Sequence, residues 1–428
     1  MGRSDFIVPC AFILFGAPGL QAADQSNKVD VSFTAASEYT DNTFKTATHH
    51  TGERQDNLGL LLNSQHSGEV LETTLTFDIN HRSFSKDSDD DEITAEGLAQ
   101  AIAQINQYLE TTAYFSRKEV VSDPKQQTLL SNTDERSITG IDLQGTFAVT
   151  PVDRLILTPE VSLISYENAS ELDSKRYGIN SLWQHSLSSV NDLTAGYSFT
   201  KIEYDSSQND QNYERAFIGF NSELRLLSYS AEAGYNLINP AQGNETREPY
   251  YRFDITFDNS VHTLAASGSS IITDTSLGDG NLDPISDDTS TSGSSQQLDQ
   301  LTREELAISY AYSQFCNICT IGADATWLQE KHVNLLIQNL EERSLSAFIR
   351  LNITPYSTVN FSISRKKADF EFDAISDYRE TTALVNYKHQ LSRQMTAGLF
   401  TRYEKRDSDI FARSYSELSG GMSLKYDL

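Results

Sequence analysis

The sequence predicts an all-β fold, a transmembrane antiparallel β-barrel of about 18–20 strands with short turns at one end and longer acidic loops at the other. Three observations predict it. Apolar and polar residues alternate in segment after segment, the chain opens with an export signal, and the connections alternate between short and long. Together they favour one barrel domain over residues 23–428, preceded by a signal peptide over residues 1–22.

The alternation is the strongest of the three signals. Successive side chains of a β-strand point to opposite faces, so each segment builds a ribbon that is apolar on one side and polar on the other. The clearest segment alternates strictly: Tyr251, Phe253, Ile255 and Phe257 against Arg252, Asp254, Thr256 and Asp258. Repeated about twenty times, this pattern is typical of a barrel with an apolar outer face and a wet interior.

The N-terminal residues have the features of a secretory signal. Arg3 is offset by Asp5, and an apolar run over residues 6–16 follows. Small residues offer a cleavage site after Ala22 or Ala23. The run is too short to cross a bilayer as a helix, which takes about 20 residues. A buried strand of the mature protein is the alternative interpretation.

The charge excludes one class of partner. The chain has 33 basic and 60 acidic residues, a formal net charge of −27, which argues against binding to nucleic acid. Acidic residues concentrate in two predicted loops: Asp87, Asp89, Asp90, Asp91 and Glu92 in one, and Asp274, Asp279, Asp283, Asp287 and Asp288 in the other. We interpret both as solvated loops, with the alternative that their carboxylates collect divalent cations beside lipopolysaccharide.

The lengths of the connections orient the chain. Short connections occur at residues 66–69, 150–153, 188–192, 257–260, 354–357 and 391–394. Long connections occur at residues 41–54, 83–92, 120–135, 206–211, 239–245, 273–297, 331–340 and 373–377. Bacterial outer-membrane barrels have short periplasmic turns and longer external loops. We therefore expect a protein integral to the outer membrane of a Gram-negative bacterium, with both termini periplasmic.

One segment has two interpretations. Residues 96–114 contain enough apolar residues to form a helix, but a helix there leaves an odd number of strands and reverses the alternation of loop lengths. Two strands around a turn near Gln104–Gln107 restore the alternation, and we favour them.

The predicted interior is wide and carries both charges, because a barrel of this size cannot fill its lumen with side chains. The inward rows combine acids with bases: Glu72, Asp78, Asp142, Glu160, Asp254 and Asp324 with Arg82, Arg252, Arg350, Lys388 and Arg402. Other inward rows carry hydroxyls and amides: Thr194, Ser198, Thr200, Ser228, Ser230, Asn236, Asn360, Ser362 and Ser364. Such a lining suits the passage of polar solutes.

The last segment alternates to the C-terminal residue. It resembles the signal that the barrel assembly machinery recognises, and the residues that carry the resemblance are Ser419, Gly421, Leu424, Tyr426 and Leu428. The usual terminal aromatic is replaced by Leu428, which departs from the pattern. An ordinary last barrel strand is the alternative.

The two cysteines of the mature chain, Cys316 and Cys319, occupy a short turn between two predicted strands. No helix follows to lower a thiol pKa, as redox motifs of this spacing require, and no further zinc ligands lie nearby. We predict a structural disulfide in an oxidising compartment, with free thiols as the alternative. The sequence offers no catalytic motif, cofactor-binding motif or metal site.

Aromatic residues near the expected strand ends suit the interfacial girdles of a membrane barrel. We expect this role for six tyrosines: Tyr39, Tyr166, Tyr204, Tyr312, Tyr387 and Tyr403. Platforms that stack on sugar rings are the alternative role.

Residues 29–42 end in Tyr39-Thr40-Asp41-Asn42 and resemble the start of a family of outer-membrane β-barrels found with exopolysaccharide-biosynthesis and exosortase-type gene clusters, the "putative β-barrel porin 2" type. The resemblance implies a non-enzymatic role in exopolysaccharide export or assembly, with exopolysaccharide and its export proteins as partners. A general diffusion porin is the second hypothesis, although the loop at 273–297 lacks the basic residues expected of a constriction loop. A structural or adhesive surface barrel without conductance is the third.

Overall fold

The computed structural model describes residues 26–86, 88–205, 209–241, 245–277 and 298–428. Within these residues the chain forms one antiparallel sheet of 20 strands that closes on itself. The predicted signal peptide and part of both acidic loops lie outside the described residues, namely residues 1–22, Asp87, Asp279, Asp283, Asp287 and Asp288.

The strands follow one another around the barrel in chain order. Their bounds are β1 Ser26–Thr40, β2 Glu53–Ser67, β3 Leu71–Phe84, β4 Glu92–Asn106, β5 Leu109–Val121, β6 Thr133–Ala148, β7 Asp153–Tyr166, β8 Ser174–Ser186, β9 Asn191–Tyr204, β10 Gln211–Glu223, β11 Leu227–Pro240, β12 Thr246–Asp258, β13 His262–Asp274, β14 Gln300–Cys316, β15 Cys319–His332, β16 Leu340–Thr354, β17 Ser357–Phe370, β18 Tyr378–Gln390, β19 Met395–Ser408 and β20 Tyr415–Asp427.

The barrel closes where β20 pairs with β1. This ladder runs from Ser32 opposite Asp427 to Thr40 opposite Ser419, and the Leu428 amide extends it by donating to the Val31 carbonyl at 2.9 Å. Closure satisfies the backbone groups that an open sheet would expose to lipid. The predicted barrel is confirmed, with the strand count at the upper end of the expected range.

Short turns and long loops fall on opposite ends of the barrel, which we call the turn end and the loop end. β4 and β5 are joined at the turn end by Gln107 and Tyr108 alone, so the two-strand interpretation of residues 96–114 is confirmed. Short 3-10 turns occur in the loop-end connections: Leu130–Asn132, Ser170–Leu172, Thr275–Leu277, Leu336–Gln338, Ala374–Ser376 and Phe411–Arg413. No helix in the described part of the chain has the length and apolar character to span a membrane.

The two faces of the sheet differ as the alternation predicts. Large apolar side chains stand exposed on the outer face, among them Val29 at 68%, Leu58 at 61% and Leu345 at 62%. The charged, hydroxyl and amide residues predicted for the lumen all fall on the opposite, inner rows of the strand register. The side chains of Arg252 and Asp254 on these rows are 64% and 50% exposed, so this part of the lumen is open to water.

Two prolines mark irregular places in the sheet. Pro159 lies in β7 where the β6–β7 pairing is interrupted between Asp142–Glu160 and Gly145–Leu157. Pro249 lies in β12 near the loop end, opposite Tyr235 of β11, in the part of β12 that does not pair with β13. Proline has no amide hydrogen to donate, so it is tolerated at such interruptions and edges.

Gly421 allows β20 and β1 to approach closely at the closing ladder. A Cβ atom at this position would lie 2.5 Å from the Ser37 carbonyl oxygen and 3.0 Å from the Glu38 Cα. Both contacts are with backbone atoms, which cannot rotate away. Any larger residue would therefore push the two closing strands apart.

Candidate functional site in the barrel lumen

The loop end of the β13–β14 hairpin leaves the barrel wall and enters the lumen. The β12–β13 ladder stops at Tyr251 opposite Ser270, whereas the β13–β14 ladder continues to Asp274 opposite Gln300. Thr273, Asp274 and the following turn Thr275–Leu277 are almost completely buried. The end of β13 has therefore folded against the inner wall of the same barrel.

A buried arginine holds this bent segment. Arg176 Nη2 on β8 donates to both carboxylate oxygens of Asp274, at 2.8 and 2.9 Å, and to Ser276 Oγ at 2.7 Å. The Tyr166 hydroxyl donates to the Ser276 carbonyl at 2.8 Å, and Arg136 Nη1 donates to the Leu277 carbonyl. We call this set of contacts the hairpin clamp. Charged hydrogen bonds of this kind are stronger than neutral ones.

Apolar packing reinforces the clamp. Leu277, 4% exposed, is the tip of the described segment and enters a cluster of buried residues on the inner wall of β5–β7 and in the loop that follows β7. The other buried members are Tyr114, Ile138, Ile164, Tyr166, Ala169 and Leu172. Lumen side chains of such barrels ordinarily face water. A buried apolar cluster inside the lumen therefore holds the segment that packs on it.

A second segment crosses the lumen at the loop end. The β5–β6 connection, residues 122–132, which we call the strap, contacts strands and loops of β15–β19 on nearly the opposite wall. Arg406 on β19 donates to the carbonyl oxygens of Lys125 at 2.6 Å and Gln126 at 2.7 Å. Lys125 Nζ in turn donates to the Ile337 carbonyl at 2.7 Å and to Asp373 Oδ2 at 2.8 Å. The strap is thereby held through two of its backbone carbonyls and through the Lys125 side chain.

The anchoring carboxylate of the strap is held in its charged form. The hydrogen bonds from Lys125 and Ser376 hold the pKa of Asp373 below its ordinary value. Asp299, just before β14, is similar: burial opposes its charge, but the nearby His332 ring and hydrogen bonds from Asn334 and the Leu335 amide outweigh burial and lower its pKa. Both loop-end carboxylates therefore stay ionised at neutral pH.

The space beside the strap is lined by paired charges of both signs. It measures about 680 Å³ and lies against β1–β3 and β19–β20. Arg402 contacts Glu38 at 2.9 Å, Lys45 contacts Glu417 at 3.6 Å and Arg82 contacts Glu119 at 3.4 Å. A passage with this lining presents no single sign of charge to a solute.

The structure corrects two expectations from the sequence. Tyr166 and Tyr204 are not girdle residues, because both lie on inner rows and are 6% exposed. Asp274 is not in a solvated acidic loop, because it is the buried partner of Arg176. The basic residues that face the bent hairpin come from the barrel wall, so the hairpin needs no basic residues of its own. Among the described residues, no group of three or more potential ligands for a metal ion comes together.

The other predicted site residues lie where the sequence puts them, and their roles stay predictions. Cys316 and Cys319 flank the β14–β15 turn with their Cα atoms 5.1 Å apart, a separation that a disulfide bridges. The residues of the predicted assembly signal, Ser419, Gly421, Leu424, Tyr426 and Leu428, lie in or directly after the closing strand β20.

Sequence reasoning missed the residues that narrow the lumen. Arg136, Arg176 and Arg406 each occupy an inner row close to the loop end, where long-loop backbone comes within reach. An arginine on an inner row within a few residues of a long loop is the signal that would have found them.

Comparison with known proteins shows the fold and no family. No protein-family model matches the chain, and no curated protein matches it. Among solved structures, the copper transporter OprC is similar with a TM-score of 0.52 at 8% identity, over 96% of this chain and 84% of OprC. OccAB2 of Acinetobacter baumannii gives a TM-score of 0.42 at 11% identity, over 94% and 98% of the two chains. The chain has the antiparallel barrel fold of outer-membrane β-barrel proteins.

Proposed function

We propose that this protein is a non-enzymatic outer-membrane channel for polar solutes. The observation that carries the proposal is the lumen, which is lined with polar groups and narrowed at the loop end by the hairpin clamp and the strap. Two segments anchored by arginine from the wall restrict the size of what passes while the polar rows below remain open to water. A purely structural barrel has no need of such a lining.

The proposed setting is the outer membrane of a Gram-negative bacterium, with the loop end outside and both termini periplasmic. The lipopolysaccharide of the outer leaflet then surrounds the barrel near its loop end, and β20 is recognised by the barrel assembly machinery during insertion. The turn that carries Cys316 and Cys319 would then lie in the periplasm, an oxidising compartment in which their disulfide would form.

Two versions of the channel differ in what passes. Exopolysaccharide export is supported by the resemblance of residues 29–42 and by the hydroxyl and amide rows of the lumen. A general diffusion porin for small solutes is supported by the bent hairpin, since an inward segment that meets arginines on the wall is how porins limit solute size. The bent hairpin is the more specific observation.

Single-channel conductance of the refolded protein in a planar bilayer tests the proposal. We expect discrete steps, and a folded barrel that gives none would contradict any channel and favour an adhesive surface protein. Acidic polysaccharide added on one side separates the two versions. Block by the polysaccharide supports export, whereas unblocked steps that favour cations support the porin.

A further inference from the structure

A separate cavity lies between the bent end of β13 and the inner wall of β5–β11. Its volume is about 160 Å³, and a cavity of about 150 Å³ holds one molecule the size of benzene. One side is apolar and is formed by five aliphatic residues: Ile138, Ile164, Ile202, Ile272 and Leu277. The cavity is distinct from the space beside the strap.

The other side of the cavity is polar and has unused donors. Four buried atoms that line it form no hydrogen bond with the described residues, and all four are donors: Arg176 Nε, Tyr213 Oη, Arg215 Nε and Asn236 Nδ2. Arg176 and Asn236 are each 7% exposed. Because an unpaired buried donor is costly, four of them around one cavity indicate a ligand that brings acceptors.

One group at the cavity, the Arg215 guanidinium, favours an anionic acceptor. Each carboxylate that lines it already has a donor: Asp274 has Arg176, Glu160 has Asn180 at 3.1 Å and Glu214 has Tyr197 at 2.9 Å. Arg215 differs from these groups. Its guanidinium lies over the Tyr250 ring at 4.9 Å, and no carboxylate in the described part of the chain lies within ion-pair distance of it. Its guanidinium can therefore donate hydrogen bonds to a ligand.

From this geometry we infer that the cavity binds a small monocarboxylate with a compact apolar body. The carboxylate accepts hydrogen bonds from Arg215, Asn236 and Tyr213, and the apolar body packs on Ile202 and Ile272. This inference rests on the proposed function only in that the ligand reaches the cavity through the lumen. The end of β13 forms one wall, so occupancy also ties the bent hairpin to β9–β11.

Benzoate, which has the size of the cavity and one carboxylate, is the probe. We expect calorimetry to show saturable binding of benzoate to the refolded full-length protein. Benzyl alcohol, which lacks the charge, should bind more weakly than benzoate by about tenfold or more. Arg215→Gln should weaken benzoate binding by about tenfold or more. The matched control is Arg252→Gln, an inner-row arginine that lies outside the cavity and is exposed, and it should leave binding unchanged.

A second variant keeps the inference testable if Arg215→Gln does not fold. Ser198 lines the cavity from β9, opposite Arg215 in the strand register, and Ser198→Phe should fill the space and abolish binding without removing a charge. Absence of saturable benzoate binding to the wild type, or equal losses in Arg215→Gln and Arg252→Gln, would overturn the inference. Conductance of the same preparation distinguishes the two proposals. Conductance steps without benzoate binding would refute the binding cavity and leave the proposed channel intact.

Discussion

Arg176 and Asp274 are 98 residues apart in the sequence, yet one guanidinium nitrogen donates to both carboxylate oxygens in the interior of the barrel. The side chains are 9% and 1% exposed. Water therefore screens this pair little, and the pair is the central ionic contact of the hairpin clamp. The end of β13 is held on the distant wall by this pair together with the contacts of Tyr166, Arg136 and Leu277.

Breaking this pair should widen the lumen. Removing one partner of a buried ion pair costs about 3–5 kcal/mol, because the other charge is left uncompensated, and we expect Arg176→Met to release the bent hairpin. Single-channel conductance should rise and its fluctuations increase. Arg252→Met, which breaks the exposed lumen pair with Asp254, should behave as wild type. Unchanged conductance in Arg176→Met would show that the hairpin does not limit flow.

Arg406 should control the strap. It donates to two strap carbonyls and lies 3.6 Å from the centre of the Tyr378 ring, so Arg406→Gln removes both the charge and the stacking. We expect trypsin to cleave after Lys125 several-fold faster in this variant, measured on folded protein. Arg350→Gln, an inner-row arginine near the turn end, is the control. Equal cleavage rates in all three proteins would mean that Arg406 does not hold the strap.

The strap attachment should resist mild acid and fail in strong acid. The Lys125 and Ser376 hydrogen bonds lower the pKa of Asp373 in the folded state, so their stabilisation is fully present above the ordinary carboxyl value of about 3.9. It is lost as the pH falls through the lowered value. We expect conductance to stay constant from neutral pH to about pH 4 and to rise below it. Asp373→Asn should remove that rise; a rise that persists would assign it to another group.

Gly421→Ala should impair barrel closure. The added methyl group meets backbone atoms of Ser37 and Glu38, and overpacking of this kind costs about 1–3 kcal/mol. The folded fraction after refolding into detergent, measured by heat-modifiable migration on a gel, should fall. Gly420→Ala, whose nearest neighbour would be the Phe400 carbonyl at 3.3 Å, should fold better. Refolding without the assembly machinery separates this steric effect from loss of a recognition signal.

The disulfide prediction is tested by thiol labelling. If Cys316 and Cys319 are joined as predicted, protein isolated from the membrane should not react with maleimide until it is reduced. Loss of the bond should cost little, since a disulfide that closes a short loop removes little entropy from the unfolded chain. Labelling of unreduced protein at both positions would refute the disulfide.

The barrel itself was predictable from local information. Alternation in β12 and the other strands fixes which residues face lipid, and the lengths of turns fix which strand follows which, because antiparallel neighbours are joined in chain order. Even the ambiguous hairpin β4–β5 followed from parity alone. These features depend on residues a few positions apart, which is the range over which sequence patterns are informative.

The contents of the lumen were not predictable in this way. Lys125 meets Asp373 across 248 residues, and the bend of β13 depends on a ladder with β12 that stops early. Alternation places Tyr166 on the same row of β7 as Glu160 and so inside the barrel, but that a folded-in segment covers it depends on distant parts of the chain. Tertiary contacts of this kind leave no local pattern, and so the constriction appeared only in the structure.

The early end of the β12–β13 ladder has a consequence for solubility of the loop end. Residues 246–250 keep β11 on one side and have no strand partner on the other among the residues that the structure describes, so they form the kind of edge along which chains aggregate. The Pro249 carbonyl accepts a bond from Ser270 Oγ at 3.4 Å, which shows that this residue's ring nitrogen also faces the open side. A strand from a second molecule finds no backbone donor at this position, which makes pairing along the edge opened by the inward bend less favourable.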